Sequence, residues 1–356
     1  MKKMKKLLAI CMIMTLAFQL FACSSQKSAG SASASKTASS TASSTASSSS
    51  AKAGKIAVVF ATGGLGDKTY NDSLYYGVKA ICEKQNLQFD YSEPMDAAEY
   101  EPLLRGYAEK GDYDLIISLG YSQGSSVDKV APNFPNQKFM LIDAEINQPN
   151  VACYSWRENE LSYLIGVMCA KMTKSKVIGF IAAFDIFNCN MNAAGLTAGA
   201  HSVDPSIKVI VDYIGSWTDI AGCKEMALSM HEQGADIVYH AASTGGLGIL
   251  EAGKEKGFYT VGYDGNVNAD APETNFASAI RLFPVAAEDA ITKALDGTFK
   301  GGKVSLGAKE KAIKVDTEGS TVKVSQEIWD AVNKAEEDIS NGTIKVPQTL
   351  AEANKK

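Results

Sequence analysis

The sequence predicts an α/β protein with two doubly wound, parallel-sheet lobes joined by a hinge, and two observations support this prediction. The first is an internal repeat, in which four segments return in the same order 121 or 122 residues later. The second is the alternation of short apolar segments with amphipathic helical patterns. Segments such as "IAVVFA", "LIIS" and "VIGFIA" are typical of parallel strands that are covered on both faces.

The repeat matches strands and strand ends of the two halves. "KIAVVFA" at Lys55 returns as "KVIGFIA" at Lys176, and "FMLID", ending at Asp143, returns as "TVGYD", ending at Asp264. Ligands of doubly wound sheets bind beyond the carboxyl ends of the strands, so we expect the two lobes to face each other across one cleft. The predicted lobes are residues 55–150 with 277–300, and residues 151–276 with 301–347.

Residues 1–22 have the features of an export signal, because four lysines precede an apolar stretch that is too short to span a bilayer. The signal ends in "LFAC", which resembles a bacterial lipobox, so we expect lipid on Cys23. The alternative is an ordinary signal peptide cut near Ala22. Residues 23–54 are almost all Ser, Ala, Thr, Lys and Gly, which cannot bury a core. We therefore expect a flexible linker that anchors the protein to the extracytoplasmic face of the cell membrane.

Charge and cysteine content exclude some classes of function. The net charge is -5, and it becomes more negative once the lysine-rich signal is removed, which argues against nucleic acid as a partner. An odd number of cysteines remains in the body, without metal-ligand spacing, so we expect small core residues rather than a metal site or a disulfide framework. These cysteines are Cys82, Cys153, Cys169, Cys189 and Cys223.

The segment "GYSQG" around Ser122 matches the pentapeptide of a hydrolase nucleophile. A nucleophilic serine needs a histidine base and an acid, and the chain has only His201, His231 and His240. None of the three is expected beside Ser122. The equivalent position 122 residues later is Thr244, in a similar loop that contains glycine. Both hydroxyls are therefore predicted to bind a ligand by hydrogen bonds.

The loop after the first strand, "ATGGLGDKTYNDS", lacks a dinucleotide-binding pattern and carries two aspartates that would repel phosphate. Asp67, Tyr70 and Asn71 offer acceptors, a flat ring and an amide, which suit an uncharged, polar, ring-shaped ligand. We expect one of Asp67 and Asp72 to cap the following helix and the other to contact the cleft.

Several segments together resemble the basic membrane protein family, the PnrA-like substrate-binding lipoproteins of ABC importers. They include "GLGDKTYNDSLYYGVKA", "KFMLID", "IKVIVDYIGSWTD" and "GADIVYHAASTGGLGILEAGKEKG", and the similarity runs from about Lys55 to Ala308. The resemblance implies a type I periplasmic-binding-protein fold, with a hinge crossed about three times and lobes that close over the ligand. It also implies a monomer without catalysis or cofactor, which delivers a purine nucleoside to permease and ATPase subunits.

The resemblance also implies functional residues. It makes Tyr70 a stacking surface for a base, and it places Asp143 and Asp264 at strand ends, with Asp264 positioned for ribose hydroxyls. Trp217 falls where the family has an aromatic residue near the cleft, where it either binds or packs.

Two positions depart from the family pattern. A phenylalanine that stacks on the other face of the base is replaced by Asn192, although Phe187 is close enough in sequence to substitute. A lysine after the last crossing is replaced by Arg281. Losing one face of an aromatic sandwich should cost on the order of 1 kcal/mol.

These observations predict a receptor that captures a nucleoside reversibly in the cleft. One alternative is a receptor for a sugar, a nucleobase or a signalling molecule. Another is a nucleoside hydrolase that uses Asp67, Asp143 and Asp264, which would need an acid with a raised pKa and an activated water.

Overall fold

The computed structural model describes residues 54–355 of the 356-residue chain. The predicted signal peptide, the lipidation site Cys23 and the linker up to residue 53 lie outside the described residues. Within the described range, every helix is too short or too polar to cross a membrane.

Strands and helices alternate along the described chain, as the sequence predicts. The strands are β1 (Lys55–Val59), β2 (Gln88–Ser92), β3 (Leu115–Leu119), β4 (Phe139–Ile142), β5 (Val151–Trp156), β6 (Val177–Ala182), β7 (Lys208–Tyr213), β8 (Ile237–Ala241), β9 (Tyr259–Tyr263), β10 (Asn275–Arg281), β11 (Gly302–Leu306) and β12 (Ile313–Asp316). The helices are α1 (Tyr70–Gln85), α2 (Tyr100–Lys110), α3 (Gly124–Val130), α4 (Glu158–Met172), α5 (Phe187–Val203), α6 (Ile220–Glu232), α7 (Gly246–Lys256), α8 (Phe283–Asp296), α9 (Gln326–Ser340) and α10 (Leu350–Ala353).

The strands form two six-stranded sheets that repeat the same order. The first sheet runs β11-β5-β4-β3-β1-β2 and the second runs β12-β10-β9-β8-β6-β7. All neighbours are parallel except β10 and β12. Most central-strand residues are fully buried, as expected of strands covered on both faces. The repeat in the sequence is therefore a repeat of sheet topology, and it gives the two predicted lobes.

The lobe boundaries differ from those predicted. Strand β5 pairs with β4 in the first sheet, although the prediction assigned it to the second lobe, and β11 pairs with β5 there as well. Strand β10 pairs with β9 in the second sheet, although most of it was assigned to the first lobe. The reason is that each copy has a fifth strand, and the repeat visible in the sequence ends one strand earlier.

The chain crosses between the lobes three times. The crossings lie at Arg157, between β5 and α4, at Leu282, between β10 and α8, and at residues 307–312, between β11 and β12. Helix α8 returns to pack on α1 in the first lobe, whereas α4 packs on α5 in the second. Both helices therefore start directly at a crossing.

Helices α4 and α5 approach each other closely because glycines line their contact. A Cβ atom at Gly199 would collide with the carbonyl oxygen of Tyr163, and one at Gly195 would collide with that of Asn159. The five cysteines of the body are free and buried, so they pack as small core residues, as expected.

We predict that Gly199→Ala lowers the free energy of unfolding by about 1–3 kcal/mol, because the added methyl group forces α4 and α5 apart. Urea denaturation measures the loss. Gly106→Ala is the matched control, since it lies inside α2 with no atom within 4 Å of the new Cβ. That variant should gain about 0.4–1 kcal/mol of stability, because alanine lowers the conformational entropy of the unfolded chain. Equal effects of the two substitutions would contradict the close α4–α5 contact.

Candidate functional site

A cavity with about 750 Å³ of unoccupied space lies between the two lobes, at the carboxyl ends of the strands. Loops that follow β1, β3 and β4 line it from the first lobe, and loops that follow β6, β7, β8 and β9 line it from the second. This is the location that the doubly wound topology predicts.

Arg281, the last residue of β10, forms the centre of the polar side of the cavity. Its Nε and Nη2 donate to the two oxygens of Asp264, at 2.6 and 2.9 Å. Its Nη1 donates to both oxygens of Asp143 and to Oε1 of Glu158, each at 2.9 Å. The Tyr70 hydroxyl donates to Asp143 at 2.7 Å. One guanidinium therefore binds carboxylates from both lobes, and we call these four charged residues the Arg281 cluster.

The repeated topology places the two aspartates of the cluster. Asp143 directly follows β4 and Asp264 directly follows β9, and both adopt the left-handed backbone conformation, with φ of 64° and 67°. Aspartate tolerates this conformation better than most residues, and such strained positions are common at binding sites. The backbone thereby turns both carboxylates from the strand ends toward Arg281.

Burial makes the electrostatics of the cluster strong. The side chains of Arg281, Asp264 and Glu158 are each only 4% exposed. Burial raises the pKa of Glu158 to about 8; Arg281 opposes this rise, and Asp143 and Asp264 add to it. Burial also raises the pKa of Asp264, while Arg281 opposes the rise. Three carboxyl groups thus share one guanidinium in a site that is closed to water.

Aromatic rings surround the guanidinium and exclude water from it. The ring centroids of Tyr70, Trp156, Tyr263 and Phe283 lie 5.2–5.4 Å from its central carbon. This arrangement is favourable for a cation, and more so when the cation is desolvated. The lining of the cavity also contains Trp217, whose ring packs against Phe184.

Seven of the predicted binding residues line the cavity. They are Tyr70, Ser122, Asp143, Asn192, Trp217, Asp264 and Arg281. The side chain of Asn192 is committed to neighbouring groups: its Nδ2 donates to Glu158 at 2.7 Å, and its Oδ1 accepts from Ser162 at 2.6 Å. Asn192 therefore positions Glu158, and it is not a substitute for a stacking ring.

Two predicted residues have structural roles instead. The Asp67 carboxylate accepts from the backbone N–H groups of Thr69, Asn71 and Asp72, at 2.9–3.1 Å, and so caps the start of α1. The Asn71 side chain accepts from the N–H of Ala61. The Asp72 carboxylate accepts from the backbone N–H groups of Gly66 and Lys68 in the same loop. Neither aspartate lines the cavity, so the expectation that one of the two contacts the cleft was wrong.

Two further predicted residues do not line the cavity. Phe187 begins α5 and is 59% exposed, because the first turn of the helix points it away from the cleft. Thr244 lies in a short 3₁₀ helix, and Ser243, one residue earlier with φ of 48°, lines the cavity in its place.

Sequence reasoning missed several lining residues. The polar and aromatic ones are Thr62, Tyr100, Tyr121, Glu158, Asn188, Ser243 and Tyr263. The segment "WRENE" places three charged residues directly after a buried strand, but this pattern does not show which of them is buried in the cavity. Tyr121 and Ser243 immediately precede the two hydroxyl residues that the repeat had identified.

The lobes also touch beside the cavity. Lys68 Nζ lies 2.7 Å from Asp270 of the second lobe, and the Ser73 hydroxyl donates to the backbone carbonyl of Asp264 at 2.9 Å. A Cβ atom at Gly265 would collide with the Lys68 carbonyl oxygen. These contacts describe lobes that are closed around the cavity.

The arrangement around Ser122 does not match a serine hydrolase. The lining residues found in the described part of the chain include no histidine. His240 lies in β8 of the second lobe, where burial lowers its pKa to about 4. Ser122 is therefore part of the lining of the cavity, without a histidine partner among the described lining residues.

Comparison with known proteins identifies a family. Residues 55–349 match the family model described as ABC transporter substrate-binding protein PnrA-like. The ABC transporter nucleoside-binding protein BmpA of Lactococcus lactis is 31% identical over 316 residues, which cover 82% of this chain and 89% of that protein. A lipoprotein of Pyrococcus abyssi is 29% identical over 349 residues, which cover 85% of this chain and 86% of that protein.

A solved structure supports the same fold. The solute-binding protein of an ABC transporter system from Aeropyrum pernix K1 has a TM-score of 0.74 at 26% identity. The match covers 85% of this chain and 95% of that one. The predicted type I periplasmic-binding-protein fold is thereby confirmed.

We predict that Arg281→Met lowers the free energy of unfolding at pH 7 by about 3–5 kcal/mol, because buried carboxylates lose their cation. The loss should shrink at pH 5. Carboxylates without the cation have raised pKa values in the folded state, so the penalty grows with rising pH and disappears as they protonate. Urea denaturation at both pH values measures it.

The control for this substitution is Lys171→Met, which removes the partner of the exposed Glu327. That variant should cost about 0–1 kcal/mol. A similarly small, pH-independent loss for Arg281→Met would show that the Arg281 cluster does not support the fold.

Proposed function

The chain belongs to the PnrA-like family of ABC transporter substrate-binding proteins, and from that premise we propose that its cavity binds a nucleoside. Proteins of this class are non-enzymatic and bind small ligands, which they deliver to permease and ATPase subunits. The observation that carries the proposal is that carboxylates and aromatic rings line the same cavity between the lobes. A nucleoside presents groups that suit both, with hydroxyl groups on its sugar and a flat heterocycle as its base.

The two aspartates of the Arg281 cluster suit the sugar. Asp143 and Asp264 face the cavity from opposite lobes, and each keeps lone pairs beyond those that Arg281 uses. Hydroxyl groups of a ribose would donate to these oxygens. Because both lobes supply an acceptor, one sugar would hold the lobes together, which is how a receptor of this fold retains its ligand.

The aromatic rings of the lining suit the base. Trp217 comes from the loop after β7 of the second lobe, and Tyr70 and Tyr121 come from the first. Flat rings stack favourably on such side chains. Ser122 and Ser243 also line the cavity, and their hydroxyls would donate to or accept from the polar edge of a heterocycle.

The location of the protein follows from its N-terminal region. A lipid on Cys23 would hold residues 54–355 at the extracytoplasmic face of the membrane, on a linker rich in serine and alanine. The relative from Pyrococcus abyssi is itself named a lipoprotein. A permease with its ATPase subunits would then take the ligand from the opened cleft.

The proposal predicts that adenosine, guanosine or inosine raises the melting temperature of the protein more than ribose or free bases do. A ligand at 100 times its Kd adds about 2.7 kcal/mol of stability. Differential scanning fluorimetry measures the shift. A shift with sugars alone, or with none of these compounds, would contradict a nucleoside ligand.

Two tryptophan variants locate the site. Trp217→Ala should weaken nucleoside binding about fivefold, which is about 1 kcal/mol of lost stacking. Trp329→Ala is the matched control, because this partly buried tryptophan of α9 packs against the hydrophobic core and does not line the cavity. It should lower stability while leaving the Kd unchanged, and isothermal titration calorimetry distinguishes the two effects.

A further inference from the structure

The beginning of α5 carries three asparagines, in the segment "NCNMN". Both ends of the Asn192 amide are bonded to the neighbours described above. The Asn190 amide donates to Asp185 at 2.7 Å and accepts from the Tyr213 hydroxyl at 2.5 Å. The side-chain amide of Asn188, in contrast, has no hydrogen-bond partner within residues 54–355, although its backbone carbonyl accepts from Asn192 Nδ2 at 3.2 Å. Of the three amides, that of Asn188 is therefore available to a ligand.

Asn188 lies where such a ligand would bind. It is the second residue of α5, it is partly buried, and it lines the interlobe cavity. Its neighbours Ile186 and Cys189 line the cavity as well, whereas Asn190 does not. A ligand that fills the cavity would displace water from the Asn188 amide, and this costs free energy unless the ligand supplies hydrogen bonds in its place.

The strand order of the second sheet indicates which part of a nucleoside Asn188 would meet. The cavity is lined from the ends of β10, β9, β8, β6 and β7, which are neighbours in this order. Neighbouring strands lie about 4.8 Å apart, so the strand before Asn188 is roughly 10 Å from the strand before Asp264. The lining residues at these strand ends are, in sheet order, Arg281, Asp264, Ser243, Asn188 and Trp217.

The first lobe repeats this order. Its neighbouring strands β4, β3 and β1 are followed by the lining residues Asp143, Ser122 and Thr62. In each lobe the aspartate thus comes first and the uncharged polar residues follow along the sheet. A nucleoside whose sugar is held by the two aspartates would therefore extend its base past the hydroxyl residues to the loops after β1 and β6.

The loop after β6 also supports the ring of Trp217. Phe184, in that loop, packs against Trp217 with ring centroids 5.4 Å apart, and Asn188 follows it by four residues. A base that stacks on Trp217 would therefore have an amide close to its edge. Stacking on a ring together with hydrogen bonds to the edge is a general way for proteins to recognise a nucleobase.

We propose that Asn188 is a specificity-determining residue, whose amide recognises the edge of the base that carries an exocyclic group beside a ring nitrogen. The inference rests on the proposed nucleoside function and deepens it, because it assigns the contact that decides which nucleosides bind well.

The chemistry of the amide defines the preferred edge. An asparagine side chain offers one acceptor, Oδ1, beside one donor, Nδ2. Inosine offers the matching pair, with O6 as acceptor beside N1–H as donor, so two hydrogen bonds form in parallel. Asparagine recognises adenine in DNA by the same kind of paired contact. Purine riboside has the same sugar and ring system but no O6, and its N1 carries a lone pair, so it leaves the amide oxygen unpaired.

The test compares inosine with purine riboside by isothermal titration calorimetry. The wild type should bind inosine about tenfold more tightly, which is the effect of roughly one net hydrogen bond. In Asn188→Leu the two Kd values should agree within about twofold, since leucine pairs with neither edge. A residue that only supported the fold would weaken both ligands equally, so the ratio of the two Kd values isolates the contact to the base.

Asn190→Leu is the matched control, because it makes the same change two residues further along α5, outside the cavity lining. This variant loses the bonds to Asp185 and Tyr213, so its stability should fall, but it should keep the wild-type ratio. Asn188→Ala is a second test variant. Alanine favours the helix and removes the amide, so this variant should also bind the two nucleosides alike.

The outcomes separate the inference from the proposed function. If the wild type binds neither nucleoside, the proposed function is wrong and the inference fails with it. If the wild type binds both nucleosides equally well, the nucleoside function stands and the role of Asn188 is overturned. The same conclusion follows if the preference for inosine survives in Asn188→Leu and Asn188→Ala.

Discussion

The bonds of one buried arginine hold this structure's cleft together. Arg281 is the last residue of a second-lobe strand, yet it binds Asp143 of the first lobe as well as Asp264 of its own. A buried guanidinium must be paired, and five N–H groups allow it to satisfy carboxylates in several directions. The lobes meet where those carboxylates reach the same cation. The Arg281 cluster therefore lines the cavity and also joins the two lobes.

The rest of the fold positions these carboxylates around Arg281. Duplicated topology brings β4 and β9 to the cleft from opposite sides, and the left-handed turns at Asp143 and Asp264 aim both carboxylates inward. Helix α4 presents Glu158 from its first turn, and its position is fixed by glycines that let α5 pack closely against it.

Much of this architecture could be predicted from the sequence, because a repeat of strands and strand ends survives even where residue identity does not. Asp143 and Asp264 were found in this way. The lobe boundaries were not, since the fifth strand of each copy lies outside the visible repeat. Asp67 was assigned to the ligand because of its chemical type, but the N–H groups of its own loop needed an acceptor. Glu158 was missed because a glutamate that begins a helix ordinarily lies in water and favours the helix dipole. Whether such a residue is buried depends on tertiary contacts, which no local pattern reveals.

A crystal structure of the protein with inosine bound would test most directly the claim that the Arg281 cluster both joins the lobes and forms the polar side of the ligand site. We expect the nucleoside in the interlobe cavity, with its hydroxyl groups on Asp143 or Asp264 and its base beside Trp217. Arg281 should keep its bonds to both aspartates. Inosine bound elsewhere, or an Arg281 that has left Asp143 to pair with the ligand while the lobes stay closed, would contradict the account.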